Sequence, residues 1–301
     1  MAPKVVVALL SEEQEFQVMQ AADARRAAAR AGLEVEVLFA QNNAVLQIQQ
    51  LFRFVHAPEG ERPAAIVTET VTGEGLERVA RNAVRSGVGW VLLNRKVAYL
   101  DELRKERPDL PLSLVSVDQL EVGRIQARQI RALLPNGGSA LYLQGPPDTS
   151  AAQDRLRGLE EGIEGARIEV KVLNGDWSET SGEKAATGWL RLKSSEGFRA
   201  SLVAGQNDAM AMGARRAILG QRKSWKGDLL TIGCDGLPEG GQRLVNAGEL
   251  TATIVTPTPA GPAVELVARA LAGQAAPAQL ILPPKSYPAE EELAGRVGAP
   301  E

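Results

Sequence analysis

Short apolar segments alternate with helix-like segments along the whole chain, and this alternation limits the possible folds most strongly. The segment VVVALL at 5–10 is apolar at every position, as in a strand covered by helices on both faces. Strands separated by helical patterns of about 10–15 residues indicate parallel βαβ units. The predicted strands are 5–10, 33–39, 64–68, 90–93, 114–117, 139–143, 168–173, 200–204 and 229–232.

The intervening helices carry recognisable end signals. The helix predicted over 15–31 is followed by Gly32, the residue expected just past a helix C-terminus. At roughly 150 residues per domain, a chain of 301 residues suggests two domains. The sequence therefore predicts an α/β protein with two doubly wound parallel sheets, whose further helices run from 43 toward 55 and over 75–86, 118–134, 151–164, 182–193, 209–219 and 237–247.

Composition excludes several classes of function. Lys and Arg number 34 and Asp and Glu 37, a net charge of −3, and no basic run offers a surface for nucleic acid. The single cysteine, Cys234, excludes an intramolecular disulfide, and with the single histidine it cannot form a Cys/His zinc cluster. We expect His56 to lie at the surface, since it precedes a turn-like Pro58, so histidine-based catalysis is not expected. We expect no cofactor and no metal.

The first residues of the chain bear on the cellular location of the protein. The apolar stretch 5–10 has six residues, fewer than the roughly 7–15 of a signal peptide, and a Ser-Glu-Glu sequence follows it. No apolar run approaches the roughly 18 residues of a membrane span. We therefore expect a periplasmic protein if an export signal has been removed from the chain, and a cytoplasmic protein otherwise.

Nucleotide-binding motifs are incomplete. The first strand-to-helix turn contains no glycine, and near 73–78 Arg78 takes the third glycine position of a dinucleotide fingerprint. The chain has no phosphate-binding P-loop sequence. We expect neither a dehydrogenase nor a nucleotide hydrolase.

Polar and aromatic residues follow the predicted strands at their carboxyl ends, where open α/β sheets bind ligands. This pattern recurs in both halves of the chain and predicts a ligand-binding cleft. Its candidate residues are Gln14, Phe16, Gln17, Glu69, Asn94, Arg95, Gln153, Arg155, Trp177, Asn207, Asp235 and Thr256.

At these residues the sequence resembles the type I periplasmic sugar-binding proteins, the ribose-binding-like solute receptors of ABC importers. The most specific blocks are AGQNDAMAMG at 204–213, IGCDG at 232–236 and GELTATI at 248–254. The resemblance implies two α/β domains joined by three hinge crossings, 1–117 with 257–282 and 118–256 with 283–301. It also implies a monomer that closes over a monosaccharide or cyclic polyol and meets an ABC permease or a sensor protein.

The candidate residues suit a sugar. Aromatic rings cover the C–H face of a sugar ring, and carboxylate, guanidinium and amide groups pair with its hydroxyls. We expect Phe16 and Trp177 to sandwich the ring. We expect its edge to be lined by Asp235, Asn207, Arg95 and Asn94. The alternatives are a core position for each aromatic residue, a turn role for Asp235, a helix cap for Asn207 and a surface ion pair for Arg95.

Several positions depart from the family pattern. Gln17 stands where a second aromatic residue is common, and Asn94 where Asp is common. Gln153 replaces a frequent Arg, and Thr256 a longer Gln or Asn. Glu69 replaces a frequent Asn and indicates either a ligand with an amine, a second Arg-paired network or a solvated loop carboxylate. For these reasons ribose is not assumed to be the ligand.

Two other functions compete with a solute receptor. One is a cytoplasmic sugar-sensing domain related to the LacI-type regulators but without their helix-turn-helix, because the first strand already begins at Val5. The other is a sugar-phosphate isomerase, for which the sequence offers no evident pair of carboxylates in a general-acid setting.

Overall fold

The computed structural model describes residues 2–73, 75–192, 197–221 and 229–296. Strands and helices alternate through these residues, as the apolar pattern predicts. The elements are β1 (Lys4–Leu9), α1 (Glu15–Ala31), β2 (Glu34–Phe39), α2 (Ala44–Val55), β3 (Ala65–Thr68), α3 (Glu77–Arg85), β4 (Gly89–Leu93), α4 (Tyr99–Glu106), β5 (Leu112–Val117), α5 (Gln119–Leu133), β6 (Gly138–Gln144), α6 (Ser150–Ile163), β7 (Ile168–Asn174), α7 (Glu179–Leu190), β8 (Leu202–Gly205), α8 (Asp208–Gln221), β9 (Leu230–Ile232), α9 (Arg243–Asn246), β10 (Thr253–Val255), α10 (Ala260–Leu271), β11 (Gln279–Leu282), β12 (Lys285–Tyr287) and α11 (Glu290–Arg296).

The chain forms two compact units. Unit 1 consists of residues 1–117 and 258–282, and unit 2 of residues 118–257 and 283–301. Each unit therefore draws on separated parts of the sequence, and the chain passes from one unit to the other three times. Both units contain a parallel sheet flanked by helices, which confirms the predicted fold class.

Unit 1 is built on a six-stranded sheet in the order β11-β5-β4-β3-β1-β2, with all neighbours parallel. Successive side chains of β1 point to opposite faces because a strand has a period of two residues. Val6 and Ala8 pack in the core that includes residues of α2, α3 and α4. Val5 and Val7 pack in the core that includes residues of α1 and α10. This two-sided burial explains why the segment 5–10 is apolar at every position.

Unit 2 repeats the arrangement on a smaller scale. Its parallel sheet has the order β7-β6-β8-β9, and β10 and β12 form a separate antiparallel pair. Leu141 and Leu143 of β6 pack with residues of α7 and α8, whereas Ala140 and Tyr142 pack with residues of α5 and α6. Among the described residues, no helix is long and apolar enough to cross a membrane.

Several elements differ from the sequence prediction, which named no strand or helix after residue 247, where the structure has β10, α10, β11, β12 and α11. Helix α4 was not predicted, because five of its eight residues are charged and its buried side is limited to Tyr99, Leu100 and Leu103. The helix predicted over 237–247 is instead a wide turn over Pro238–Gln242 followed by the short α9. Gly240 has non-helical backbone angles there, as expected for a glycine-rich segment. The last residue of the helix predicted over 182–193 lies outside the described residues, and α7 ends at Leu190.

Helices α7 and α8 approach each other closely at glycine. A Cβ atom on Gly182 would overlap the carbonyl oxygen of Met210, and one on Gly213 would overlap that of Glu179. Gly188, on the same helix as Gly182, is exposed and has no atom within 4 Å of its Cβ position. Helix α7 therefore contains one glycine that packing requires and one that it does not.

We predict opposite effects for alanine at these two glycines. Gly182→Ala should lower the stability of the protein by about 1–3 kcal/mol or more, because the added methyl forces α7 away from α8. Gly188→Ala should raise it by up to about 1 kcal/mol, because alanine loses less backbone entropy in a helix. Denaturant unfolding followed by circular dichroism measures both, and equal effects would contradict the packing described here.

Candidate functional site

The candidate residues of each unit gather at the carboxyl edge of its sheet. In unit 1, β1 lies between β2 and β3, so the strand order reverses there. In unit 2, the order reverses at β6, which lies between β7 and β8. Open parallel sheets bind ligands at such reversal points. Most of the candidate residues follow the strands at these two points.

A buried carboxylate, that of Glu69, organises the edge of unit 1. Its Oε2 accepts hydrogen bonds from Nε2 of Gln17 at 3.1 Å and from Nε2 of Gln20 at 2.9 Å. Nδ2 of Asn94 donates a longer hydrogen bond to the same oxygen, at 3.4 Å. Oε1 lies 3.8 Å from Nε of Arg95. Of the three alternatives for Glu69, the structure therefore shows the Arg-paired network, and the solvated loop carboxylate is wrong.

Arg95 is held by backbone oxygens as well as by Glu69. Its Nη1 donates to the carbonyl oxygens of Thr70 and Val71, the second at 2.9 Å. Only 3% of the Arg95 side chain is exposed, so the alternative of a surface ion pair is wrong. The guanidinium lies at the carboxyl end of β4, beside the buried Asn94.

Gln14 and Phe16 lie at the start of α1 and differ from Gln17 in their contacts. Gln14 occupies the position before the helix, and its buried Nε2 has no hydrogen-bond partner among the described residues. Phe16 is half-buried and belongs to neither of the two described apolar cores of unit 1. Gln17 is buried, and its Oε1 accepts from the backbone N–H of Leu10 at 3.1 Å. A core position for Phe16 is therefore not supported.

In unit 2, Trp177 lies against the carboxyl end of β6. A Cβ atom on Gly145 would overlap the six-membered ring of the indole, so the ring lies directly on this backbone. The Arg155 guanidinium lies 5.6 Å from the ring centroid, within the range of a cation–π contact. The half-buried indole also packs on the α7–α8 core, so the alternative of a core contact holds for part of the ring.

Asn207 has two structural roles. Its side-chain oxygen accepts from the N–H of Met210 at 2.9 Å, which caps helix α8. Its Nδ2 donates to the carbonyl oxygen of Trp177 at 2.8 Å. The capping alternative is therefore confirmed, and ligand contact by Asn207 stays a prediction.

Asp235 follows β9, in a segment that is hydrogen-bonded to a second aspartate, Asp208. The buried Asp208 accepts at Oδ2 from the N–H of Gly236 at 2.9 Å and at Oδ1 from the hydroxyl of Thr253 at 2.6 Å. Asp235 itself is half-buried, and its carbonyl oxygen accepts from the N–H of Thr256 at 3.1 Å. Thr256 is 3% exposed, and its hydroxyl also donates to the carbonyl oxygen of Asp235, at 3.4 Å.

The remaining two candidates lie on the first turns of α6 and differ in burial. Arg155 is buried and donates from Nε to Oε1 of Gln119 at 2.7 Å and from Nη1 to the carbonyl oxygen of Gln206. Gln153 is exposed, and its Nε2 donates to the carbonyl oxygen of Pro147 at 2.8 Å. Both residues are engaged by protein groups, and their contact with a ligand stays a prediction.

Three of the candidate residues have left-handed backbone angles. The φ values are 58° for Asn94, 73° for Trp177 and 100° for Asp235. Such angles cost a non-glycine residue on the order of 1–3 kcal/mol and persist where the surrounding structure imposes them. All three residues lie just past strand ends, at the carboxyl edges of the two sheets.

Sequence reasoning missed Gln20, Gly145 and Asp208 as residues that shape the site. Gln20 lies three positions after Gln17, a spacing that places both side chains on one side of α1. That spacing is a signal the sequence does contain. Nothing in the sequence indicates that Asp208 is buried whereas Asp235 is half-buried. Among the described residues, no group of three or more His, Cys, Asp or Glu side chains is arranged to hold a metal ion.

Known proteins share this architecture. A family model described as "Periplasmic binding protein domain" matches residues 5–275. The chain is 25% identical to the galactofuranose-binding protein of Escherichia coli over 247 residues, which cover 80% of this chain and 74% of that protein. It is 30% identical to the ribose import binding protein of the same organism over 144 residues, 48% of this chain and less than half, 46%, of that protein.

A solved structure from Mycobacterium smegmatis, in complex with β-D-fucofuranose, superposes with a TM-score of 0.82. The two chains are 19% identical, and the superposition covers 98% of this chain and 94% of the other. At this identity the likeness concerns the fold. It supports the two-unit α/β architecture described above.

We predict that Gly145→Ala displaces the indole of Trp177, because the new methyl would occupy the position of the ring. The emission contributed by Trp177, obtained as the difference between each protein and its Trp177→Phe counterpart, should change in wavelength. Gly60→Ala, at a glycine with nothing within 4 Å of its Cβ position, should leave it unchanged. An unaltered Trp177 signal in Gly145→Ala would contradict the contact.

We also predict that Cys234 does not react in the folded protein. Burial raises the pKa of the Cys234 thiol to about 12, so at pH 8 the thiolate fraction is on the order of 10⁻⁴. Labelling with a thiol reagent should be slow in buffer and complete in denaturant, at one thiol per chain. Fast labelling of the folded protein without loss of its circular dichroism signal would contradict this prediction.

Proposed function

The chain belongs to the periplasmic binding protein domain family, and we propose that it is a non-enzymatic receptor that binds a monosaccharide or cyclic polyol. As in the importers that such proteins serve, it would deliver the solute to an ABC permease or report it to a sensor protein. The relatives named above are binding proteins for galactofuranose and ribose, which favours a receptor over a LacI-type sensing domain. We propose the periplasm as its location.

The observation that carries this proposal is the chemistry at the carboxyl edges of the two sheets. Amide, guanidinium and carboxylate groups are concentrated there, beside two half-buried aromatic rings, Phe16 and Trp177. Sugar hydroxyls both donate and accept hydrogen bonds, and these groups match them. The C–H face of a sugar ring is apolar and packs on an aromatic surface.

We propose that both edges contribute to ligand binding, unit 1 through Gln14, Phe16, Asn94 and Arg95 and unit 2 through Trp177 and Asp235. We propose that Gln17, Gln153, Arg155, Asn207 and Thr256 shape the site around these residues; like Asn94 and Arg95, they are engaged by protein groups in the structure. Units 1 and 2 would then be the two lobes of the receptor. Closure of the lobes over the ligand and the monomeric state stay predictions.

A thermal-shift screen tests the function. We expect at least one of D-ribose, D-galactose, D-fucose and myo-inositol to raise the melting temperature in a concentration-dependent way. A ligand at about 100 times its Kd stabilises the folded state by about 2.7 kcal/mol. The ligand recovered after incubation should be chemically unchanged. A chemically altered sugar would move the assignment to an enzyme, and no shift with any sugar or polyol would contradict the ligand class.

Asp235→Asn should weaken binding of the sugar found in that screen by roughly tenfold to more than a hundredfold. A charged hydrogen bond contributes about 1.5–3 kcal/mol. The matched control is Asp109→Asn, which changes an exposed aspartate before β5, at the opposite edge of its sheet. Calorimetry should show unchanged affinity for the control. Equal affinities for the two variants would remove Asp235 from the site.

A further inference from the structure

The Glu69 carboxylate is enclosed by the protein. It is 7% exposed at the side chain, and its oxygens face two helix residues, Gln17 and Gln20, and two residues that follow β4, Asn94 and Arg95. The backbone of Glu69 is held as well. Its N–H donates to the carbonyl oxygen of Ala8 at 3.0 Å, and its carbonyl oxygen accepts from Gln47 at 2.7 Å. Both the position and the orientation of this carboxylate are therefore set by neighbouring elements.

The two buried charges at this edge cancel. Glu69 and Arg95 are the charged residues that are buried among the described residues of unit 1. Their ion pair, at 3.8 Å, brings together one negative and one positive charge. A buried charge without its partner is costly, so each of the two requires the other. A ligand with its own charge would disturb this balance.

The side-chain amides of two glutamines are oriented by the same carboxylate. Gln17 and Gln20 both direct their Nε2 groups to Oε2 of Glu69, and the buried Oε1 of Gln20 has no hydrogen-bond partner among the described residues. A glutamine amide that turned its oxygen to the carboxylate would meet another acceptor. The carboxylate thus fixes which atom of each glutamine faces it.

We propose that Glu69 is a positioning residue and not the counter-ion of an aminated ligand. Its carboxylate orients Gln17 and Gln20 and balances Arg95, so the buried groups described at this edge offer hydrogen bonds without net charge. The ligand that fits it is a neutral sugar or polyol. The ligand class in this proposal rests on the proposed function, whereas the role of Glu69 does not.

The melting temperature of the protein without ligand tests the role of Glu69. Glu69→Gln keeps the shape of the side chain but removes the buried carboxylate that pairs with Arg95, and it should lower the melting temperature by at least about 5 °C. Glu59→Gln, at an exposed glutamate of the same unit, should have little effect. A carboxylate kept for a ligand amine would behave in the opposite way, because its neutralisation removes a buried charge. An unchanged or raised melting temperature for Glu69→Gln therefore overturns the proposal.

Two further variants separate charge from shape. Glu69→Asp keeps the charge but shortens the side chain, and it should cost less than Glu69→Gln. The double variant Glu69→Gln/Asn94→Asp restores one carboxylate to the network, since Asn94 already contacts Glu69, and it should recover part of the lost melting temperature. If Glu69→Asp is the more damaging change and the double variant recovers nothing, the role is one of packing and the proposal is wrong.

A matched pair of probes tests the ligand class. D-galactose and D-galactosamine differ by one hydroxyl replaced by an amine, which is protonated at pH 6. The wild-type protein should prefer D-galactose. A preference for D-galactosamine that Glu69→Gln abolishes overturns the proposal. If neither probe shifts any variant, and the wider screen also fails, the proposed function loses its support, while the melting temperatures still decide the role of Glu69.

Discussion

The parallel sheets are covered by helices on both faces, and this constraint shapes the rest of the molecule. Residues 5–9 of β1 and 89–93 of β4 are buried, and their side chains alternate between two apolar cores. Within such a strand a polar side chain has no access to water and few hydrogen-bond partners. Chemistry-bearing residues are therefore concentrated past the strand ends, where neighbouring strands of one sheet bring them together.

Both units meet the cost of burying a carboxylate in the same way. Glu69 in unit 1 and Asp208 in unit 2 each accept hydrogen bonds from groups on at least two other segments. A buried carboxylate is tolerated when its lone pairs are satisfied, and its removal leaves several donors without a partner. Each carboxylate thus holds together the loops of one sheet edge. Asn94 and Arg95, which contact Glu69, are among the residues that we propose to touch a ligand.

Aromatic and backbone geometry add to this rigidity. Trp177 has a left-handed backbone, a carbonyl oxygen held by Asn207 and an indole that rests on Gly145. Each of these contacts limits the movement of the ring before any ligand arrives. A receptor gains affinity when its binding groups are already in place, because less conformational entropy is lost on binding. The arrangement of Trp177 is consistent with that requirement.

The sequence by itself determined the fold class and the strand ends at which the site residues lie, because apolar periodicity and end signals are local properties of the chain. It could not tell which of the candidate residues are enclosed by other protein groups. Helix α4, with its charged surface, and the roles of Gln20 and Asp208 became visible only in the structure. Glu69 shows this limit of sequence reasoning most clearly. From the sequence alone, its carboxylate was compatible with an amine ligand, an ion pair with Arg or a solvated loop. The tertiary structure excluded the solvated loop and showed the pair with Arg95, because the partners of Glu69 at positions 17, 20, 94 and 95 are distant in sequence and meet only when β1, β3 and β4 pair.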